Sequence, residues 1–426
     1  MNWRPIPLPD SSGIAHALSA RPSTLQRNLL LDLSAAVGLG AGLAVVGSLL
    51  PSMARQQGLG SMGLAAFAAI PFLTSLLGLL AGRIGPRTPK HLAIYRALGA
   101  AGLLLVLVAP EPLFMALAML GFWLAWSLGA PMQQRIWSGI YPSASRGRLL
   151  GIVGSGRSLA TMTALLAFTF AAAGAGWLAI VAVVAVVGIV SGMAPSRLTL
   201  DTDDEVPSYG ALESVRTVLR RPMLRRITTA QLVFGGGMVA LPALIAMIMV
   251  DRLGLSLGDI AIAGFTGSAV TVLTFGAWGR LASRTNGLVT MTSGTILGTL
   301  AIATFALAPD FSILLVASAL IGAANAAIDV SWPLLIADHA ARDEQAAAAA
   351  GLGAIMGLRG LVMPFVIVLP IQLGLLDVTG ALLLCVVAGV TGTTLYLRLS
   401  GLYRVPVRVA GRAAGLAAAG LRGLSA

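Results

Sequence analysis

Two arginines, Arg157 and Arg359, lie deep inside long apolar stretches, at equivalent places in two halves of the chain. Each is roughly ten residues into its stretch, or about 15 Å along a helix, which is near the middle of a bilayer. An arginine at that depth costs at least about 2.5 kcal/mol on insertion scales, so it is normally kept for a partner or a pathway. Paired planar forks suit a carboxylate or phosphate, because each guanidinium can make two parallel hydrogen bonds. The competing reading is structural, with both arginines tying helices together through carbonyls or through an acid such as Asp329.

Asp329 is itself inside an apolar stretch, near its cytoplasmic third, beside Asn325, Ser331 and Trp332. A carboxylate held among apolar groups can trade a proton across a membrane gradient, so Asp329 is the first candidate for proton coupling. Its alternative role is a salt bridge to Arg359 or Arg135. Asp32, a few residues into the first stretch, is the weaker candidate, because an acid at a helix N-terminus is favoured by the dipole alone. No Ser-His-Asp set, phosphate-cradling loop or ATP-binding motif occurs. His16, His91 and His339 fall outside the apolar stretches and Cys385 is the only cysteine. No catalytic residue, metal site, disulfide or cofactor is expected, and an enzyme is excluded.

The elements that hold these residues are twelve apolar stretches. They run near 29–50, 60–82, 91–109, 112–134, 149–170 and 174–194, then near 227–250, 258–280, 287–308, 311–336, 348–370 and 375–397. Each has roughly the 20 residues that cross a hydrocarbon core of about 30 Å. The chain is 57% hydrophobic and only 10% charged, with a mean hydropathy of +0.90, so most of it faces lipid or other helices. The second six stretches repeat landmarks of the first. Gly58 and Gly254 are 196 residues apart; Thr74, Gly82 and Arg83 return as Thr271, Gly279 and Arg280 at a shift of 197; Pro131, Gly151 and Arg157 return as Pro333, Gly353 and Arg359 at a shift of 202. Duplicated six-helix halves about a pseudo-two-fold axis are the plan of many secondary transporters.

The net charge of +12 reports topology. With the N-terminus assigned to the cytoplasm, 24 of the 28 Lys and Arg residues fall at the cytoplasmic face, two (Arg55 and Arg252) fall outside, and Arg157 and Arg359 lie within helices. This bias puts both termini in the cytoplasm and makes the lipid bilayer the partner, with no nucleic acid. Residues 1–27 have no apolar core of a cleavable signal peptide. The expected organisation is a cytoplasmic segment at 1–27, a six-helix bundle at 28–195, a linker at 196–226, a second bundle at 227–398 and a basic tail at 399–426. The linker carries Asp201, Asp203, Asp204 and Glu205; residues 209–220 fit either a short interfacial helix with Leu212, Val215 and Leu219 on one face or a plain solvated linker. In the tail, Arg404, Arg408 and Arg412 would form one basic stripe on a helix, while Gly411, Gly415 and Gly420 favour a disordered tail instead.

Between the second and third stretches, Gly78-Leu-Leu-Ala-Gly-Arg-Ile-Gly-Pro-Arg87 resembles the cytoplasmic signature of the major facilitator superfamily, a Gly followed by an Asp-Arg pair, a Gly and further basic residues. A worn copy, Gly276-Ala-Trp-Gly-Arg-Leu-Ala-Ser-Arg284, occupies the matching loop of the second half, and Tyr141-Pro-Ser-Ala-Ser-Arg-Gly-Arg-Leu-Leu-Gly151 resembles the family's Arg-Gly loop. Gly82 stands where the family has Asp, so a gating contact made by that Asp does not carry over. The fifth stretch also lacks the Gly-Pro-rich signature of the family's drug–proton antiporters. Over residues 28–398 the resemblance implies an all-α membrane protein with twelve transmembrane helices in two pseudo-symmetric six-helix bundles.

It further implies a monomeric secondary transporter of the inner membrane that moves a small-molecule substrate by alternating access, coupled to protons or working by exchange. Gly78, Gly82, Arg83, Gly85 and Arg87 would form its conformational motif. The helices that line the cavity in this family carry Trp123, Trp126, Gln133, Gln134, Gln231 and Asn325, whose mixed character suits a substrate with apolar and polar parts. The same residue types also pack between helices or sit at headgroup level. Arg157 and Arg359 favour an organic anion, and the apolar helices around them favour an amphiphilic compound. The alternative from another class is a scaffold or delivery factor for a pigment, lipid or membrane complex.

Overall fold

The computed structural model describes residues 23–142, 145–171, 176–199, 210–341 and 343–401. The N-terminal segment before residue 23, the acidic run at 201–205 and the basic stripe at 404–412 lie outside the described residues, as do the surroundings of Gly82 and the Arg83 side chain. Every regular element among the described residues is helical, as a chain in lipid must be if each backbone N–H and C=O is to be satisfied within its own segment.

Twelve helices are long and apolar enough to cross a membrane. They are Thr24–Gln56, Ser61–Leu80, Pro89–Val108, Pro112–Ile140, Arg146–Ala171 and Gly176–Arg197, then Pro222–Arg252, Leu257–Arg284, Gly287–Leu307, Phe311–His339, Gln345–Gln372 and Val378–Ser400. Several outrun the apolar stretches that predicted them, because capping side chains carry the helix past its apolar core. Ser23, which accepts from the Gln26 N–H, starts the first helix well before residue 29.

Odd-numbered spans begin at one face, called the near face here, and even-numbered spans begin at the far face. Gly58 and Gly254 turn the chain at the far face, with φ of 87° and 59°. Only glycine adopts that left-handed backbone without a Cβ penalty, which explains why the same landmark recurs in both halves. A π-helical segment precedes each turn, at Ala44–Leu49 and at Ile248–Arg252.

Spans one to six form one half and spans seven to twelve the other. The halves meet along two long seams, the fifth span against the eighth and the second against the eleventh. Each seam depends on glycine. A Cβ at Gly154 would come within 2.5 Å of the Phe275 ring, and one at Gly360 within 1.9 Å of the Phe72 ring. Close approach of this kind is what holds helices together where lipid is as apolar as the side chains.

The linker does form a helix, over Ala211–Arg220, but packs through a different face. Ser214 and Val218 are buried beside the eleventh span, while Leu212 and Leu219 point away, 73% and 47% exposed. Small side chains decide this. The Ser214 carbonyl lies where a Cβ on Gly351 would stand, 2.1 Å away, an approach that a leucine face does not permit.

Candidate functional site

Asp32 is the ninth residue of the first helix, more than two turns inside, so the expectation that it serves a helix N-terminus is corrected. It is buried. Its carboxylate accepts from Gln133 Nε2 at 3.2 Å, Trp137 Nε1 at 2.9 Å and the Tyr141 hydroxyl at 2.8 Å. Those donors recur every four residues along one face at the end of the fourth span. Burial, then the nearby Asp32 carboxylate, push the Tyr141 phenol well above its ordinary range, so it stays a donor. Gln133 Oε1 in turn accepts from Arg96 Nη2 at 2.6 Å, and the Arg96 guanidinium lies 5.5 Å from the Trp126 ring centre.

By charge distribution alone, Arg96 belongs with the 24 cytoplasmic-face Lys and Arg residues. It is in fact the eighth residue of the third helix, and its Nε is buried without a partner. Its signal was available in the apolar context on either side, as Leu98 and Leu92 flank it.

Arg157 reaches across the seam. Its guanidinium pairs with the Asp329 carboxylate of the tenth span and lies 5.8 Å from the ring centre of Phe275 on the eighth. Asp329 therefore pairs with Arg157, one of the two arginines expected to tie helices through it, and not with Arg359 or Arg135. The two side chains are 21% and 40% exposed. A cavity of about 50 Å³ is lined by Asp32, Arg96 and Trp126 from one half together with Arg157 and Asp329 of the ion pair.

Arg359 behaves differently from its sequence equivalent. Its Nη1 donates to the Gln231 carbonyl of the seventh span, within its own half, and its Nε is buried without a partner. The Gln231 side chain accepts from the Tyr396 hydroxyl at 2.9 Å. The symmetry breaks because of the partner. The position equivalent to Asp329 is Ser127, whose hydroxyl donates to Thr74 at 3.2 Å, so Arg359 meets no acid across the seam.

Other predicted residues divide between packing and cavity. Gln134 Nε2 donates to the Pro333 carbonyl across the near-face seam at 3.2 Å, and Ser138 donates to Gln345 Oε1 beside it at 2.5 Å. Trp123 keeps its Nε1 buried without a partner. Asn325 lines a second cavity of about 380 Å³ in the far half, between the first span and the helices of the second half. It stands four residues before Asp329 and hence on the same helix face, one turn away. In the signature loop, Gly78 opens a 3-10 turn ending at Leu80, Gly85 leaves the helix in extended backbone, and the Tyr95 hydroxyl donates to the Ile84 carbonyl. Arg87 is exposed at the near face.

At the far face a bidentate ion pair joins the halves. Arg55 Nε donates to Asp251 Oδ1 at 2.9 Å, and Arg55 Nη2 donates to Oδ2 at 2.7 Å. In the sequence Arg55 stands out only as one of two basic residues outside the cytoplasmic face and the helices. Arg55 and Asp251 are 196 residues apart, the same shift that relates Gly58 to Gly254. Equivalent positions of two related halves can meet only on the axis between them, so this pair marks the pseudo-two-fold axis.

Two six-helix halves joined at both faces around cavities bounded by both halves are the arrangement that the signature loop implied. The family model for the Major Facilitator Superfamily matches residues 33–364. The chain belongs to the Major Facilitator Superfamily. This superfamily member is thus a multi-pass membrane transporter and not an enzyme. No curated protein is similar enough in sequence to register as a relative. Among solved structures, the human organic anion transporter MFSD10 is 14% identical with a TM-score of 0.64, over 88% of this chain and 100% of that one. FucP, a Major Facilitator Superfamily transporter in the outward conformation, is 12% identical with a TM-score of 0.61, over 88% and 99%. The E. coli fucose:proton symporter FucP also appears at 13% identity and a TM-score of 0.58. At these identities the likeness concerns the fold.

Proposed function

We propose that this superfamily member is a secondary active transporter of the bacterial inner membrane, working as a monomer by alternating access and driven by protons through Asp329. The observation that carries this reading is the Arg157–Asp329 pair. It ties the fifth span of one half to the tenth span of the other, inside the membrane, with both groups partly open to a cavity. Protonating Asp329 removes the charge that holds Arg157 across the seam, so protonation and parting of the near side are linked. Linkage of that kind is what lets a proton gradient bias the conformational equilibrium.

The near face is the cytoplasmic one in this reading, from the positive-inside bias. The boundaries expected from sequence, with bundles at 28–195 and 227–398 around the linker at 196–226, describe the two bodies that move. No ATP-binding motif is present in the sequence. Replacing Asp329 with Asn keeps the shape and most hydrogen bonds while abolishing charge change. In proteoliposomes, Asp329→Asn is expected to lose gradient-driven accumulation and keep counterflow exchange. Unaltered accumulation would assign Asp329 to packing, and an absence of flux for a broad labelled panel in the wild type would favour the scaffold alternative.

A further inference from the structure

The far-half cavity differs in chemistry from the charged cluster one helical turn away. Among the described residues, no ionisable side chain lines it. Its volume of about 380 Å³ lies within the roughly 300–1,000 Å³ usual for small-molecule sites. Its polar lining includes the hydroxyls of Ser48, Ser52, Ser268 and Ser318 and the amide of Asn325. Among the described residues these five side chains make no hydrogen bond to protein, whereas Thr271 in the same wall is already bonded to the Gly267 and Gly322 carbonyls. Hydroxyls on membrane helices ordinarily satisfy themselves on the carbonyl four residues back, as Thr161, Thr169 and Thr266 do here. Unbonded donors and acceptors gathered on one apolar cavity are groups left for a ligand or for water. The remaining wall is apolar, Met249 included.

We infer that this cavity is the substrate site, and that it takes an uncharged small molecule with hydroxyl or carbonyl groups on one side and apolar surface on the other. The inference rests on the transport reading above and selects the substrate class within it. An anion in this cavity would lose its hydration with no cation to replace it. The two arginines that favoured an organic anion from sequence are both engaged elsewhere, Arg157 on Asp329 and Arg359 on the Gln231 carbonyl. Asn325 is the group that connects the two functions. It lines the cavity and precedes Asp329 by one turn, so the residue that would hold a ligand hydroxyl stands one helical turn from the coupling residue, roughly 5–6 Å between Cβ atoms. A neutral ligand there does not compete with Asp329 for Arg157, so a proton is the only charge moved with it.

The test uses the purified full-length transporter and matched probes that differ in one group. Phenyl β-glucoside and phenyl β-glucuronide share a skeleton, one ending in a hydroxymethyl and the other in a carboxylate. A set of neutral diols and lactones, each with its carboxylate analogue, extends the panel. Neutral members are expected to raise the melting temperature and their carboxylate partners are not. Asn325→Leu and Ser268→Val, which keep helix-compatible volume, are expected to weaken that binding at least tenfold. Binding by the carboxylates alone, by no neutral member, or with unchanged affinity in both variants overturns the inference. Counterflow in proteoliposomes separates the two claims. If carboxylates move, the transport reading stands and the substrate class falls. If neutral members bind through Asn325 and none crosses the bilayer, the site stands and the transport reading falls.

Discussion

Parting the halves at the far face must break the Arg55–Asp251 pair, and the energy of that step can be worked out. The contact is bidentate, and Arg55 Nη1 is held in place by a further bond to the Leu59 carbonyl at 2.7 Å. The side chains are 21% and 41% exposed, so solvent screens the attraction. Exposed pairs contribute about 0.2–1 kcal/mol, and fork geometry puts this one near the upper end. About 1 kcal/mol corresponds to about a fivefold change in the balance between closed and parted far faces. Ser268→Cys on the far cavity reports that balance through its rate of reaction with a membrane-impermeant maleimide added from the far side. The native Cys385 is buried and stays silent. Arg55→Gln and Asp251→Asn should each raise the rate about fivefold, and the double variant should add little to either single change. Exchanging the charges with Arg55→Asp and Asp251→Arg together should restore the slow rate. Rates that stay unchanged in the single variants, or that multiply in the double, would refute the axial latch.

Arg359→Lys keeps the charge but replaces the guanidinium whose Nη1 donates to the Gln231 carbonyl, so stability should fall by up to about 1.5–3 kcal/mol, the worth of a charged hydrogen bond, with ligand affinity unchanged; melting and binding measured on one purified sample check this. A methyl at Gly360 would overlap the Phe72 ring, so Gly360→Ala should cost about 1–3 kcal/mol from overpacking, and Phe72→Leu in the same chain should recover part of the melting temperature. A reporter fused after Ala426 should be active only if folded in the cytoplasm, and one inserted near Glu111 only outside; periplasmic activity at the C-terminus would overturn the proposed orientation.

Twelve spans, two related halves and the family were legible in the chain because each depends on local pattern. A run of roughly 20 apolar residues must cross the bilayer wherever it sits, and Gly58 and Gly254 repeat because one backbone conformation requires them. The depth of Arg157, Arg359 and Asp329 was equally readable, since position along a helix sets it. What each of them faces was not. Asp32 has three donors from the fourth span, the nearest in sequence 101 residues away, and the four-residue spacing of Gln133, Trp137 and Tyr141 gives a stripe without naming its target. Arg157 and Arg359 look alike in sequence, yet only Arg157 meets an acid, 172 residues away across the seam, because Ser127 occupies the equivalent place in the other half. The same holds for Arg55, whose partner stands at its own symmetry-related position. An ion pair forms only where packing brings two side chains within a few ångströms, and the packing of one half on the other is set by glycine contacts along the seams rather than by any local run of residues.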